Sequence, residues 1–140
     1  MKSLRELYGL TYDESGFGSG LIRWYNKLID KSVDELEIAD VSKMIRQNIL
    51  LDIATQKAIN IFLYRPYDGE YQDGDLLSLL LTLDISQIDN EQLNELNVFL
   101  QELKSNYRNY DWESNQMRDQ YAKELNDFEA KISKQTLPEQ

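Results

Sequence analysis

The sequence predicts an all-α protein: a compact helical domain of about six helices that ends in an αα-hairpin. All six glycines lie at or before Gly74, and the only prolines are Pro66 and Pro138, so residues 75–137 contain no strong helix breaker. Apolar residues recur every three or four positions through most of the chain, which is the period of an α-helix. The hydrophobic content of 41% is that of a folded protein.

The length of 140 residues fits one domain, because a chain of this size buries roughly two thirds of its unfolded surface. We expect three parts: an N-terminal segment and loop at 1–20, a motif-bearing helical core at 21–84, and a C-terminal helical hairpin and tail at 85–140. The first ten residues lack the apolar run of a secretory signal, and no apolar run approaches the roughly 20 residues that span a bilayer. We therefore expect a cytoplasmic protein that does not contact membranes.

The first predicted helix begins at Leu21, where apolar residues start to recur at helical spacing, and ends near Asp30. The stretch Ser32-Val33-Asp34-Glu35 then has the form of a capping box, in which a hydroxyl and a carboxylate each accept a hydrogen bond from a free backbone N–H. It predicts the start of a second helix, and Asp40 is the alternative cap.

From Ile38 an apolar stripe continues to Arg65-Pro66, where proline ends the helical pattern. This stretch is long for one globular helix, and Gln47-Asn48 interrupts it, so we expect two helices. Asp75 is then predicted to be the N-cap of a short helix, Leu76 to Leu83, that is apolar on every side and therefore buried.

Two further apolar stripes follow. Asp89 and Gln92 form a candidate helix start, and a polar junction around residues 106–111 separates the stripes, which predicts the αα-hairpin. Packing within the hairpin is the ordinary outcome, although the first stripe could form a seam between molecules. The stripes are Leu93, Leu96, Leu100, Leu103 and Tyr107, and then Met117, Tyr121, Leu125, Phe128 and Ile132.

The absence of histidine and cysteine excludes disulfides, thiol nucleophiles, imidazole bases and most zinc or haem ligation. The net charge is −10, which disfavours a nucleic-acid ligand and favours a basic partner. Residues 1–70 carry nine bases and eleven acids, whereas residues 71–140 carry six bases and fourteen acids. The C-terminal half is therefore the better candidate for contact with a basic partner.

Two local motifs suggest ligand sites only weakly. The run Gly16-Phe17-Gly18-Ser19-Gly20 lacks the strand and the Gly-Lys-Ser/Thr of a phosphate-binding loop, so a connector is expected. The carboxylates Asp68, Glu70, Asp73 and Asp75 could ligate a hard cation, but turn carboxylates that cap helices and amides are the more common arrangement. We predict no metal and no cofactor, and a metal–carboxylate enzyme is retained as an alternative.

Aromatic rings and carboxylates are grouped in two places, which we consider as binding patches. Rings supply contact area at low entropic cost and acids steer a basic partner; equally, the rings could close off the ends of the core. Arg46 is expected to bridge to a loop carboxylate rather than to bind a ligand; the candidates are Asp68, Asp73 and Asp75. The patches are Tyr67, Asp68, Glu70 and Tyr71, and then Tyr110, Asp111, Trp112 and Glu113.

One combination of motifs resembles a known family. The segment Ile38–Asn48, with Ile45-Arg46-Gln47 near its end, is followed after an apolar helix by Tyr71-Gln72-Asp73-Gly74-Asp75-Leu76-Leu77. This pattern, over roughly residues 21–84, resembles the immunity proteins of bacterial contact-dependent growth inhibition systems, the CdiI type. The C-terminal hairpin lies outside the resemblance.

The resemblance implies a function by binding, without catalysis. Such proteins neutralise a toxin domain delivered by neighbouring cells, commonly by covering its active site, and many of these toxins are nucleases with basic grooves. We therefore expect a monomer that forms a 1:1 complex with a basic toxin domain, and we assign the two patches to toxin binding. Arg46, Asp73 and Asp75 are assigned to the structural motif. A helical oligomeric scaffold is the second alternative.

Overall fold

The computed structural model describes residues 1–14, 19–86 and 88–136, with the backbone alone for Thr136. Within these ranges the chain forms seven α-helices and no strand, which confirms the predicted all-α class. The helices are α1 (Leu4–Tyr8), α2 (Gly20–Leu28), α3 (Ile38–Arg46), α4 (Leu51–Tyr64), α5 (Asp75–Leu80), α6 (Asn90–Asn106) and α7 (Asn115–Thr136). Gly16, Phe17 and Gly18 of the glycine-rich motif, and Pro138, lie outside the described residues.

The chain divides into two compact units, Met1–Lys57 and Ala58–Gln140. The prediction of a single domain stays a prediction. No helix in the described ranges combines the length and the apolar character needed to cross a membrane.

Helix α1, at the start of the first unit, was not predicted. Its N-terminus is a capping box in which the Ser3 hydroxyl accepts from the Glu6 N–H at 3.1 Å and the Glu6 carboxylate accepts from the Ser3 N–H at 3.2 Å. Gly9 ends the helix in the left-handed conformation. Its five residues are too few to show a helical period, so only the capping residues could have indicated it.

The predicted capping box at Ser32 is present, but it begins a single 3-10 turn, Val33–Glu35. Helix α3 starts later, with Glu37 as its N-cap. The Glu37 N–H donates to the Asp40 carboxylate at 3.0 Å, so Asp40 is the third residue of the helix and the prediction of Asp40 as the cap is wrong. The same carboxylate accepts a hydrogen bond from Lys31 at 2.8 Å.

The predicted break in the long apolar stretch is confirmed. Helix α3 ends at Arg46 and α4 begins at Leu51, and between them Asn48 and Leu50 have φ angles of 58° and 48°. This left-handed conformation turns the chain out of the helix. As predicted, α4 ends shortly before Pro66, at Tyr64.

Helix α5, in the second unit, corrects the predicted role of Asp75. The N-cap is Gly74 with a φ of 84°, and Asp75 is the first helical residue. The helix also ends at Leu80 instead of Leu83. Beyond its end the Lys131 ammonium donates to the carbonyl oxygen of Leu81 at 2.8 Å and to that of Leu83, so a side chain of α7 satisfies carbonyls that follow the helix.

Helices α6 and α7 form the predicted hairpin. Asp89 caps α6 by accepting from the Gln92 N–H at 2.8 Å. Phe62 of α4 lies in the core of this unit, with its ring edge-to-face to Phe99 and Phe128 at centroid distances of 5.5 and 6.1 Å. The four leucines of the first stripe are buried, so they serve packing rather than an exposed seam: Leu93, Leu96, Leu100 and Leu103.

Candidate functional site

The two predicted patches meet in the second unit. The ring of Tyr67 stacks on that of Tyr110, with centroids 4.3 Å apart and planes inclined by 26°. Trp112 lies edge-on to both rings, at 5.6 Å from Tyr67 and 4.8 Å from Tyr110. We call these three residues together with Tyr121 the aromatic cluster.

Tyr121 forms the base of the aromatic cluster. Its ring lies 4.9 Å from that of Trp112 and 5.5 Å from that of Tyr67, and only 2% of the residue is exposed. Its hydroxyl donates to the carbonyl oxygen of Pro66 at 2.8 Å, and burial raises the pKa of Tyr121 far above its usual value. This phenol therefore stays protonated and serves the structure of the loop that follows Pro66.

A single carboxylate fixes that loop. Asp75 accepts hydrogen bonds from the backbone N–H groups of Glu70, Tyr71 and Gln72 at 2.7, 3.0 and 3.1 Å. A side chain at Gly69 would overlap the Asp75 carboxylate, so the loop has room only for glycine there. The carboxylate thus determines the course of the loop.

The carboxylate of Asp73 influences Tyr110 of the second patch. Burial, and second the nearby Asp73 carboxylate, raise the pKa of Tyr110 to about 12. The carboxylate of Asp73 itself is exposed. The Tyr110 hydroxyl therefore remains a neutral hydrogen-bond donor at the surface.

The remaining predicted patch residues surround the aromatic cluster with unequal exposure. Tyr71 is 83% exposed although hydrogen bonding holds its backbone, while Asp68 pairs with Arg65 at 3.3 Å. Asp111 and Glu113 are exposed. Together the two patches form one surface, which we call the aromatic–acidic surface: Tyr67, Asp68, Glu70, Tyr71, Tyr110, Asp111, Trp112 and Glu113.

The rings of this region differ in burial. Tyr121 closes off the core, and Tyr67, Tyr110 and Trp112 are half-buried against it, whereas the ring of Tyr71 stands in solvent. The assignment of this surface to binding stays a prediction. Arg46 lies exposed at the end of α3, and its pairing with the loop carboxylates also stays a prediction.

Within the described part of the chain, no three carboxylates come close enough together to hold a metal ion. Of the four carboxylates considered for a cation, Asp75 accepts from backbone N–H groups and Asp68 pairs with Arg65. These contacts are those of turn carboxylates.

One feature beside the aromatic cluster was not predicted. A cleft of about 190 Å³ opens between α5 and α7, with Glu124 on its wall. Glu124 is 8% exposed and accepts a hydrogen bond from the Ser78 hydroxyl. A sequence signal was present, since Glu124 stands three residues after Tyr121 and four before Phe128, on the buried stripe of α7.

A comparison with known families places the chain beside immunity proteins. The model of a family described as CDI immunity proteins matches residues 6–98, about two thirds of the chain. No curated protein sequence matches significantly. The matched region includes the loop that Asp75 fixes and ends inside α6, so the segment with Tyr110 and Trp112 lies beyond it.

Proposed function

Because the chain belongs to the family of CDI immunity proteins, whose members neutralise CDI toxins, we propose that it inhibits its cognate toxin by covering a basic active site with the aromatic–acidic surface. The toxin is a nuclease, and the complex contains one copy of each protein. The immunity protein acts in the cytoplasm, as a monomer before binding, and has no catalytic activity.

The observation that carries this proposal is the stacking of Tyr67 on Tyr110. It joins two segments that are far apart in sequence into one continuous surface, in which rings stand beside carboxylates. Interfaces concentrate their binding energy in a few well-supported tyrosine, tryptophan and arginine side chains. The aromatic–acidic surface has this composition, and its rings rest on the buried ring of Tyr121.

Charge supports the choice of a basic partner. Residues 71–140 carry fourteen acids against six bases, and four of the eight residues of the surface are acidic. A negative surface attracts a positively charged groove over long distances and raises the association rate, and salt screens this attraction. An acidic protein of this kind suits a nuclease, whose substrate is itself negative.

The direct test is co-expression with the toxin domain encoded immediately upstream. We expect the two proteins to copurify as a 1:1 complex by light scattering, toxin activity on nucleic acid to be lost, and the association rate to fall by at least about tenfold between 50 and 500 mM salt. Failure to associate at low salt, or full toxin activity in the complex, would show that the proposal is wrong.

Tyr71 and Tyr64 provide a matched pair of substitutions. Both are exposed, at 83% and 88%, so neither Tyr71→Ala nor Tyr64→Ala should change the free energy of unfolding by more than about 0.5 kcal/mol. Tyr71→Ala should raise the Kd for the toxin by at least about tenfold, because the fixed loop presents this ring to the partner. Tyr64 lies outside the aromatic–acidic surface, so Tyr64→Ala should leave the Kd for the toxin unchanged. Equal effects of the two variants on the Kd would exclude the surface as the interface.

A further inference from the structure

The cleft between α5 and α7 has the size of a site for one side chain. Its volume of about 190 Å³ is below the roughly 300–1,000 Å³ of pockets that bind small molecules. Liquid water occupies about 30 Å³ per molecule, so the space holds a few waters or one long side chain. Its lining is mostly polar: Gln72, Asp73, Gly74, Asp75, Ser78, Met117, Gln120, Tyr121 and Glu124.

Glu124 is the unusual member of this lining. It is more than nine-tenths buried, and its Oε2 atom accepts from the Ser78 hydroxyl. Its other oxygen, Oε1, accepts no hydrogen bond from the residues that the structure describes. Burial raises the pKa of Glu124, and the nearby negative charges of Asp127 and Asp75 act in the same direction. Within the described ranges no buried side-chain oxygen or nitrogen atom lacks a hydrogen-bond partner, so the unbonded Oε1 is reached by solvent through the cleft and is open to a cation there.

The other walls indicate which cation fits. The carboxylate of Asp75 is already occupied by three backbone N–H groups, and Asp73 lies exposed at the rim. Met117 and the ring of Tyr121 supply apolar surface, against which the methylene stem of a lysine or arginine packs while its charged end reaches a carboxylate. A metal ion does not fit, since no three carboxylates in the described ranges could ligate one.

We propose that the cleft receives one lysine or arginine side chain of the toxin, whose charged end forms a buried ion pair with Glu124 while its stem lies on Met117 and Tyr121. This inference rests on the proposed function, because it takes the toxin as the partner. It adds a contact beside the aromatic–acidic surface, in which Glu124 selects a toxin that carries a protruding cationic side chain at the matching position.

The first test compares two charge-neutralising substitutions, both measured with the purified toxin domain. Glu124→Gln preserves the shape of the cleft and an oxygen that can accept from Ser78. The control, Glu102→Gln, removes one exposed charge of α6 that lines no part of the cleft. We expect Glu124→Gln to raise the Kd by at least about 30-fold through faster dissociation, as for one partner of a buried ion pair. Glu102→Gln should change the Kd less than about threefold.

A second measurement separates an ion pair from a merely structural role. A carboxylate that meets a cation in the complex gives up its proton more readily than in the free protein. Calorimetric titrations at about pH 5.5, in buffers that differ in ionisation enthalpy, should therefore detect proton release when the wild type binds the toxin. Glu124→Gln should reduce this release, whereas Glu102→Gln should not. Equal proton release by the wild type and Glu124→Gln would overturn the ion pair.

Gln120→Lys provides a test that does not depend on tolerance of a change at Glu124. Gln120 lies on α7, four residues before Glu124 and on the same wall of the cleft, so a lysine there can offer its own ammonium to Glu124. We expect the variant to be at least as stable as the wild type and to bind the toxin at least about tenfold more weakly, because the site is already filled. Binding at wild-type strength would contradict the proposal.

The outcomes distinguish this inference from the proposed function. If the wild type neutralises the toxin while Glu124→Gln and Gln120→Lys bind it as tightly, the cleft proposal fails and the proposed function survives. If the wild type does not bind the toxin, both fail.

Discussion

The two halves of the aromatic–acidic surface are held by different forces. In the loop that begins at Tyr67, one carboxylate, Asp75, binds three consecutive backbone N–H groups within five residues of itself. In the segment from Tyr107 to Glu113, the Trp112 indole N–H donates to the Tyr107 carbonyl oxygen at 2.6 Å, and ring contacts attach the segment to the rest of the unit.

One half of the surface is therefore held by residues close to it in sequence, and the other half by residues far from it in sequence. The loop carries its main determinant in its own sequence, and that part of the chain is matched by the family model. The segment depends on rings contributed by the loop and by α7, of which Tyr121 is the most buried. We therefore expect removal of a charge to affect the loop alone, and removal of a ring to affect both halves.

The largest effect is expected for Tyr121→Ala, which should remove the support of both halves. Truncating a buried aromatic side chain leaves a cavity and costs about 3–5 kcal/mol in the free energy of unfolding. Tyr121→Phe is the matched control. It keeps the ring but removes the hydroxyl that donates to the Pro66 carbonyl oxygen. We expect it to lower the free energy of unfolding by about 1 kcal/mol. Urea denaturation measures both; equal losses would show that the hydroxyl, not the ring, supports the surface.

A smaller and more local effect is expected for Asp75→Ala. The substitution removes the acceptor of three N–H groups, some of which then bind water. We expect it to lower the free energy of unfolding by about 2 kcal/mol. Amide hydrogen exchange at Glu70, Tyr71 and Gln72 should accelerate, whereas exchange of the Trp112 indole N–H should stay at the wild-type rate. Asp73→Ala, in the same loop, should cost about 0.5 kcal/mol. Faster exchange at Trp112 in Asp75→Ala would mean that the halves are not held separately.

The smallest expected effect on stability is the pH dependence that Glu124 contributes. The Glu124 carboxylate accepts one hydrogen bond, whereas the Asp75 carboxylate accepts three. Its pKa is raised by burial first and then by Asp127 and Asp75, while the Ser78 hydrogen bond and Lys123 lower it. From about pH 4.3 upward the folded protein therefore holds this proton more tightly than the unfolded chain, so its contribution to the free energy of unfolding falls as pH rises.

In the Glu124→Gln variant the side chain at this position carries no titratable proton. The variant should therefore lack the decrease in the free energy of unfolding that Glu124 causes as the pH rises. Relative to the wild type, the variant should gain stability as the pH rises above about 4.3, measured as the difference in urea midpoints at each pH. Asp127→Asn, an exposed neighbour on α7, is the control and should show a smaller change. Parallel profiles for the wild type and Glu124→Gln would contradict a raised pKa at this site.

Features that depend on nearby residues were predictable from the sequence. The stripes of α6 and α7, the break after Arg46 and the end of α4 before Pro66 all follow from periodicity and backbone chemistry. In each case the determining interaction lies within a few positions along the chain, where spacing alone is informative. The residues of the two patches were chosen from composition, and their assignment to toxin binding stays a prediction.

Features that depend on tertiary contacts were not predictable. The stacking of Tyr67 on Tyr110 unites two patches that the sequence presents separately. Asp75 has the residue type of an N-cap, yet its carboxylate turns back to the preceding loop because three unpaired N–H groups lie there. Glu124 lies on an apolar stripe, but only the fold shows that the stripe borders a cleft at that point.

The contacts just beyond the C-terminal end of α5 indicate an order of folding. Six residues are too few for a helix to persist alone in water, since nucleation is unfavourable and few hydrogen bonds compensate it. The carbonyls just beyond its end are satisfied by Lys131, which lies about 50 residues further along the chain. Helix α5 should therefore form late, after α7 has docked, and substitutions in α5 should mainly speed unfolding with little effect on the folding rate.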